Sequence, residues 1–167
     1  MKKYLYLFLA STIALPAFAG SSPTELGEFK DWTAYSYQEG RNTVCYMAST
    51  PKKDEGNYKT RGDIYAIVTH RPADKSYNVV NFVAGYPFKK GSSVVVKIGT
   101  TAFNNLFTNG DNAWAPDSAT DKRLVEAMKR GERMIVEGVS SRGTKTKDTY
   151  SLAGFSGAYK AISAKCK

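Results

Sequence analysis

One histidine and two cysteines in 167 residues cannot build a four-ligand Cys/His zinc site without carboxylates or a second chain. A structural zinc finger is therefore excluded. No cysteine pair is spaced Cys-x-x-Cys, so the usual redox-active dithiol is missing as well. The one apolar run of about a dozen residues lies at the N-terminus, short of the roughly 20 residues that a membrane-spanning helix needs. Acidic residues are scarce relative to basic ones, 15 against 24, giving a formal charge of +9. No Gly-x-Ser-x-Gly nucleophile elbow occurs. The glycine-rich stretch from Gly138 through Gly143 to Lys145 and Thr146 places its lysine one residue late for a phosphate-binding loop, and it precedes a strand pattern rather than a helix. Long polar or low-complexity segments are absent, and 42% hydrophobic with 23% charged residues is ordinary for one folded domain.

What is present begins with an export signal. Lys2 and Lys3 precede the apolar run 4–15, followed by Pro16 and Ala17-Phe18-Ala19. A basic stretch, a short apolar run and small residues at the cut define a secretory signal peptide over residues 1–19, cleaved before Gly20. The mature chain of 148 residues then carries 22 basic and 15 acidic side chains. The expected location is the periplasm of a Gram-negative bacterium, with outer-membrane association or secretion left open. Export also moves Cys45 and Cys166 into a compartment where thiol pairs are oxidised, so a Cys45–Cys166 disulfide is expected, closing a loop of 122 residues. Two free thiols form the alternative.

Residues 20–28 read as a flexible lead-in, and 29–167 as a single domain. Strand patterns rich in aromatic and β-branched residues cover 31–38, 43–48, 63–70, 78–86, 94–98, 101–107, 134–140 and 144–150. The polar stretch 50–62 reads as a solvated loop. Asn109-Gly110 predicts a tight hairpin turn. One helix is expected over 119–130, capped by Ser118 and stopped by Gly131, with Leu124, Val125 and Met128 on its apolar face. A second is expected over 153–165, where Phe155, Tyr159, Ile162 and Cys166 form a stripe at helical spacing. About eight strands joined by short turns predict a mainly β fold, an antiparallel β-sandwich or barrel-like core with two accessory helices. The alternative is an α+β fold with helices covering one antiparallel sheet.

His70, the only imidazole, is read as a polar strand-end residue rather than a triad member. No catalytic residue, metal site or cofactor is indicated. Basic turns holding Lys52, Lys53, Arg142, Lys145 and Lys147, with Lys89 and Lys90, offer a surface for a protein or for an anionic lipid, glycan or host component. The competing reading is a solvated charge distribution. Location argues against nucleic acid as a partner. A small periplasmic hydrolase using a carboxylate pair on cell-wall or glycan substrates is the alternative function.

The string Gly143-Thr144-Lys145-Thr146-Lys147-Asp148-Thr149-Tyr150-Ser151-Leu152-Ala153-Gly154-Phe155, with Cys166 following, resembles the closing segment of the invasion-associated locus B family of bacterial exported proteins. Phe29-Lys30-Asp31-Trp32, Val44-Cys45-Tyr46-Met47, the run from Tyr65 to Pro72, and Asp111-Asn112-Ala113-Trp114-Ala115 are similar to it too. The resemblance implies a signal peptide, a predominantly β fold and residence in the periplasm or envelope. It carries no catalytic residues. Tyr35 and Ser36 stand where many members have a further cysteine, so one disulfide is expected and no more.

Overall fold

Alternation of buried and outward-facing residues governs the first strands, as in Trp32–Glu39, where Trp32, Ala34 and Ser36 point inward while Thr33, Tyr35 and Tyr37 face out. The computed structural model describes residues 22–167. In chain order the elements are β1 (Thr24–Phe29), β2 (Trp32–Glu39), β3 (Asn42–Ser49), β4 (Lys53–Gly56), β5 (Tyr65–Arg71), a 3-10 turn (Pro72–Asp74), β6 (Ser76–Val83), β7 (Val94–Ile98), β8 (Thr101–Asn109), β9 (Asn112–Trp114), α1 (Ser118–Arg130), β10 (Arg133–Val139), β11 (Lys145–Ser151) and α2 (Phe155–Lys165). Eleven strands form one open sheet in the order β1-β2-β3-β5-β6-β9-β8-β7-β10-β11-β4, every neighbouring pair antiparallel. Strand β8 serves both halves: Thr101 to Leu106 pair with β7, and Phe107 to Asn109 with β9. The inner faces of both halves meet in one apolar cluster that includes Trp32, Met47, Val68 and Phe82 from one half and Val96, Leu106 and Met134 from the other. The result is the expected β-sandwich-like fold with two helices.

Both helices close the core on the β1-to-β6 half. Helix α1 buries Leu124, Val125 and Met128, as the sequence pattern requires. Its cap is Asp117, whose carboxylate accepts the Thr120 N–H at 2.7 Å, so the expected Ser118 cap is corrected by one residue. Gly131 does end the helix, but in an extended conformation. Glycine is needed there because a Cβ would lie 2.5 Å from Ile98 Cγ2. Helix α2 buries Phe155, Ala158 and Ile162, with Phe155 meeting Trp32 edge-on at 4.9 Å. It starts at Gly154, where φ is +91° and a Cβ would lie 1.7 Å from the Phe29 carbonyl oxygen. Its far end is pinned by the Cys45–Cys166 disulfide, whose Cα atoms are 6.0 Å apart.

Three further expectations need correction. Residues Thr24–Phe29 belong to β1 rather than to a lead-in, because the backbone of Trp32 to Ser36 offers them a partner strand. The polar stretch 50–62 is not all loop. Its Lys53–Gly56 segment pairs with Thr146 to Thr149 as the edge strand β4, where charged side chains can face solvent. In the β8–β9 hairpin Asn109 pairs with Asn112, so the turn residues are Gly110 and Asp111, of which Gly110 takes positive φ. The signal-peptide expectation falls outside the described residues.

Asp121, in the first turn of α1, is buried and accepts the Val80 N–H at 2.9 Å. Burial, opposed by that hydrogen bond, pushes its pKa up to about 6. Between about pH 4 and 6 the folded state therefore binds more protons than the unfolded one, and stability falls as pH rises through that window. Asp121→Asn keeps an acceptor for Val80 without the charge. Its stability relative to the parent, from urea unfolding, is expected to improve by about 2 to 3 kcal/mol between pH 4 and pH 7. An unchanged difference would show that the ionised carboxylate costs nothing.

Candidate functional site

The strand register decides the fate of the expected basic surface. Lys147 on β11 lies opposite Glu55 on β4 and opposite Glu137 on β10. Glu55 pairs with Lys53 at 2.8 Å and Lys147 at 3.7 Å, and Glu137 with Lys97 at 2.7 Å. Hydrogen bonding from Lys53 holds the Glu55 carboxyl below its usual range. Lys52 is paired with Asp31. Of the five predicted residues, Lys52, Lys53 and Lys147 thus already have acidic partners, with Glu55 shared between the last two, and exposed pairs of this kind contribute little to stability.

Arg142 and Lys145 differ. Among the described residues neither has an ion pair, and Lys59, Lys89 and Lys90 share that condition. The backbone ties together the loops that carry Lys59, Lys89, Lys90 and Arg142, whereas Lys145 shares the outward face of β11 with Lys147 and lines a second cavity with Glu55 and Glu137. Ser141 N–H donates to the Pro87 carbonyl at 2.8 Å, Lys89 N–H to Val139 at 2.9 Å, and Phe88 bridges to Ser140. Gly62 N–H donates to the Gly85 carbonyl at 2.9 Å, an approach that leaves no room for a Cβ on Gly85. Three loops are therefore tied into one rim.

Inside this rim lies a cavity of about 500 Å³, lined by Lys59, Arg61, Arg142 and the hydroxyl side chains of Ser140, Ser141 and Thr144, among others. Its wall is built on Arg61, which the sequence reading missed because its partner is 87 positions away. The guanidinium donates to both Asp148 oxygens at 2.6 and 2.7 Å and to the Ala84 carbonyl at 2.6 Å, between the rings of Tyr58 and Tyr86. Burial works against both charges of this pair. For Arg61 the bidentate bonds outweigh it and the guanidinium keeps its proton more firmly than usual, whereas for Asp148 burial wins and raises its pKa against the pull of Arg61.

No catalytic grouping emerges at the other candidate positions. His70 is buried, and burial lowers its pKa. Its Nδ1 accepts the Asn78 backbone N–H at 3.1 Å, so in the neutral ring the proton sits on Nε2, which donates to Ser163 Oγ at 3.2 Å. That tautomer cannot take a proton from Ser163, which rules out a Ser-His dyad in this geometry. Glu55 and Glu137, two strands apart, line a second cavity of about 520 Å³, but both are matched to lysines. No helix among the described residues is long and apolar enough to cross a membrane.

Fold and site together define a disulfide-pinned, β-sandwich-like protein that presents cations and hydroxyls at one end of its sheet. Residues 32–163 match the family described as "Invasion associated locus B (IalB) protein", and the chain belongs to that family. The fold is similar to the crystal structure of invasion associated protein B from Bartonella henselae, with TM-score 0.57 and 15% identity, covering 86% of this chain and 96% of that one. No curated protein matches the sequence.

Proposed function

We propose that this protein is exported to the bacterial envelope and acts there, without catalysing a reaction, as a binder of an anionic envelope component through the basic loop end. The observation that carries the reading is the gathering of cations without acidic partners on loops that the backbone ties together. Lys53 and Lys147 share the Glu55 carboxylate and Lys52 pairs with Asp31, whereas Lys59, Lys89, Lys90 and Arg142, on loops joined to one another, have no ion pair among the described residues. Family membership, with its implied residence in the periplasm or envelope, supports the location, as does the signal-peptide pattern. The name of the family and of the Bartonella protein points to host invasion as a setting in which such binding would operate.

Co-sedimentation with isolated envelope vesicles tests this. Reversing charge at Lys59, Lys89, Lys90 and Arg142 is expected to lower the bound fraction by about tenfold or more at low salt, with the parent protein's binding weakened as salt is raised. Reversing Lys52, Lys53 and Lys147 is expected to change it by less than about twofold. The opposite ranking would put the binding surface on the sheet face instead.

A further inference from the structure

The loop-end cavity combines two features that a purely electrostatic surface does not need. Cations enter it from separate loops, Lys59 from 57–62 and Arg142 from the β10–β11 turn, and both are exposed without an ion pair or side-chain hydrogen bond. Between them stands a row of hydroxyls, Ser140, Ser141, Thr144 and Thr146. The wall behind them is stiff. Tyr86 is hydrogen bonded to Thr146 at 2.5 Å, Ser140 Oγ accepts the Thr144 N–H at 3.1 Å, and Arg61 is fixed by Asp148. A fixed wall lowers the ordering cost of binding.

Two carboxylates border this wall, and each already has a donor: Asp148 accepts from Arg61, and Asp54 accepts the Tyr58 hydroxyl at 2.5 Å. The positions left without a partner belong to the two cations and to the hydroxyls of Ser141 and Thr144, because those of Ser140 and Thr146 are bonded within the wall. Two cations lining one cavity suit a dianion better than a single carboxylate, and the guanidinium fork of Arg142 matches phosphate oxygens. Hydroxyl side chains both donate and accept, which suits the hydroxyls of a sugar ring. A volume of about 500 Å³ lies within the size range of small-ligand sites.

We infer that this cavity is a binding site for a phosphorylated sugar, the phosphate held by Lys59 and Arg142 and the ring against the Ser141 and Thr144 hydroxyls. The inference rests on reading this end as the anion-binding surface and gives that surface a ligand class. The same chemistry occurs in a soluble sugar phosphate and in the headgroup of a phosphorylated glycolipid.

Calorimetric titration with glucosamine phosphate, glucosamine and inorganic phosphate, together with sedimentation on vesicles carrying a phosphorylated glucosamine lipid, tests it. Expected is saturable binding of glucosamine phosphate, or of the lipid vesicles, at least about tenfold tighter than inorganic phosphate or glucosamine. Preference for the vesicles assigns the glycolipid as source; equal binding of the soluble compound assigns the free sugar phosphate. Lys59→Gln and Arg142→Gln, exposed changes that remove no internal contact, are each expected to weaken this binding about tenfold, whereas Lys89→Gln is expected to leave it unchanged. Inorganic phosphate binding as well as the sugar phosphate would overturn the inference, as would indifference to both cavity substitutions. If neither sugar-phosphate probe binds while envelope vesicles still do, the ligand class is wrong and the proposed function stands; if envelope binding is lost too, both fall.

Discussion

Asp148→Ala is expected to destabilise the fold by about 3 to 5 kcal/mol, the usual cost of leaving one member of a buried ion pair without its partner. The Arg61 side chain is 4% exposed and that of Asp148 5%, so water cannot replace the lost carboxylate. The guanidinium would retain one bond, to the Ala84 carbonyl, and the faces of Tyr58 and Tyr86. Urea unfolding measures the effect. Replacing both residues, Arg61→Met with Asp148→Leu, removes the charges together and is expected to cost far less than Asp148→Ala alone. The double variant thus separates the penalty of an orphaned charge from the value of the pair. If Asp148→Ala unfolded within about 1 kcal/mol of the parent, the pair would be reached by solvent and the wall of the cavity would be loose.

Removing the disulfide is the second large effect. Cys45 and Cys166 close a loop spanning most of the described residues, at a sequence separation of 121. The chain-entropy model sets the upper range of its contribution at about 4 to 5 kcal/mol, and loss of a native bridge commonly costs about 2 to 5. The bridge also holds the end of α2, whose Ile162 and Phe155 are part of the core. Cys45→Ala with Cys166→Ala, or full reduction, is expected to lower the melting temperature by about 10 °C. A melting temperature within about 2 °C of the oxidised protein would mean that α2 packing alone fixes the C-terminal end.

Much of this was legible in the sequence because it depends on local pattern. The stripe Phe155, Tyr159, Ile162, Cys166 reads as a helix face at 3.6 residues per turn, and two cysteines in an exported chain leave one pairing. The string shared with the family turns out to be largely structural. Asp148 meets Arg61, Tyr150 is buried, the Ser151 carbonyl accepts the Trp32 indole N–H at 3.0 Å, and Gly154 allows the close approach of Phe29. It marks the fold rather than a reaction.

What stayed hidden depends on register. Lys53–Gly56 has the composition of a loop, and only pairing with β11 makes it a strand. Neutralisation of Lys147 by Glu55 likewise follows from two residues landing opposite each other, which no single segment encodes. Arg61 was passed over inside a polar stretch whose other charges are solvated. A lone arginine beside Tyr58 in such a stretch was the one available hint, since arginine is the cation that stacks on aromatic rings.

The most direct test is site-specific photo-cross-linking in intact cells, with the photoreactive residue placed at Arg142, at Lys89 or at Lys53. The account predicts products carrying an anionic envelope component from positions 142 and 89 and little or none from 53. Labelling from 53 alone, or equal labelling from all three, would contradict it, because the neutralised sheet face would then contact the partner as closely as the basic loop end.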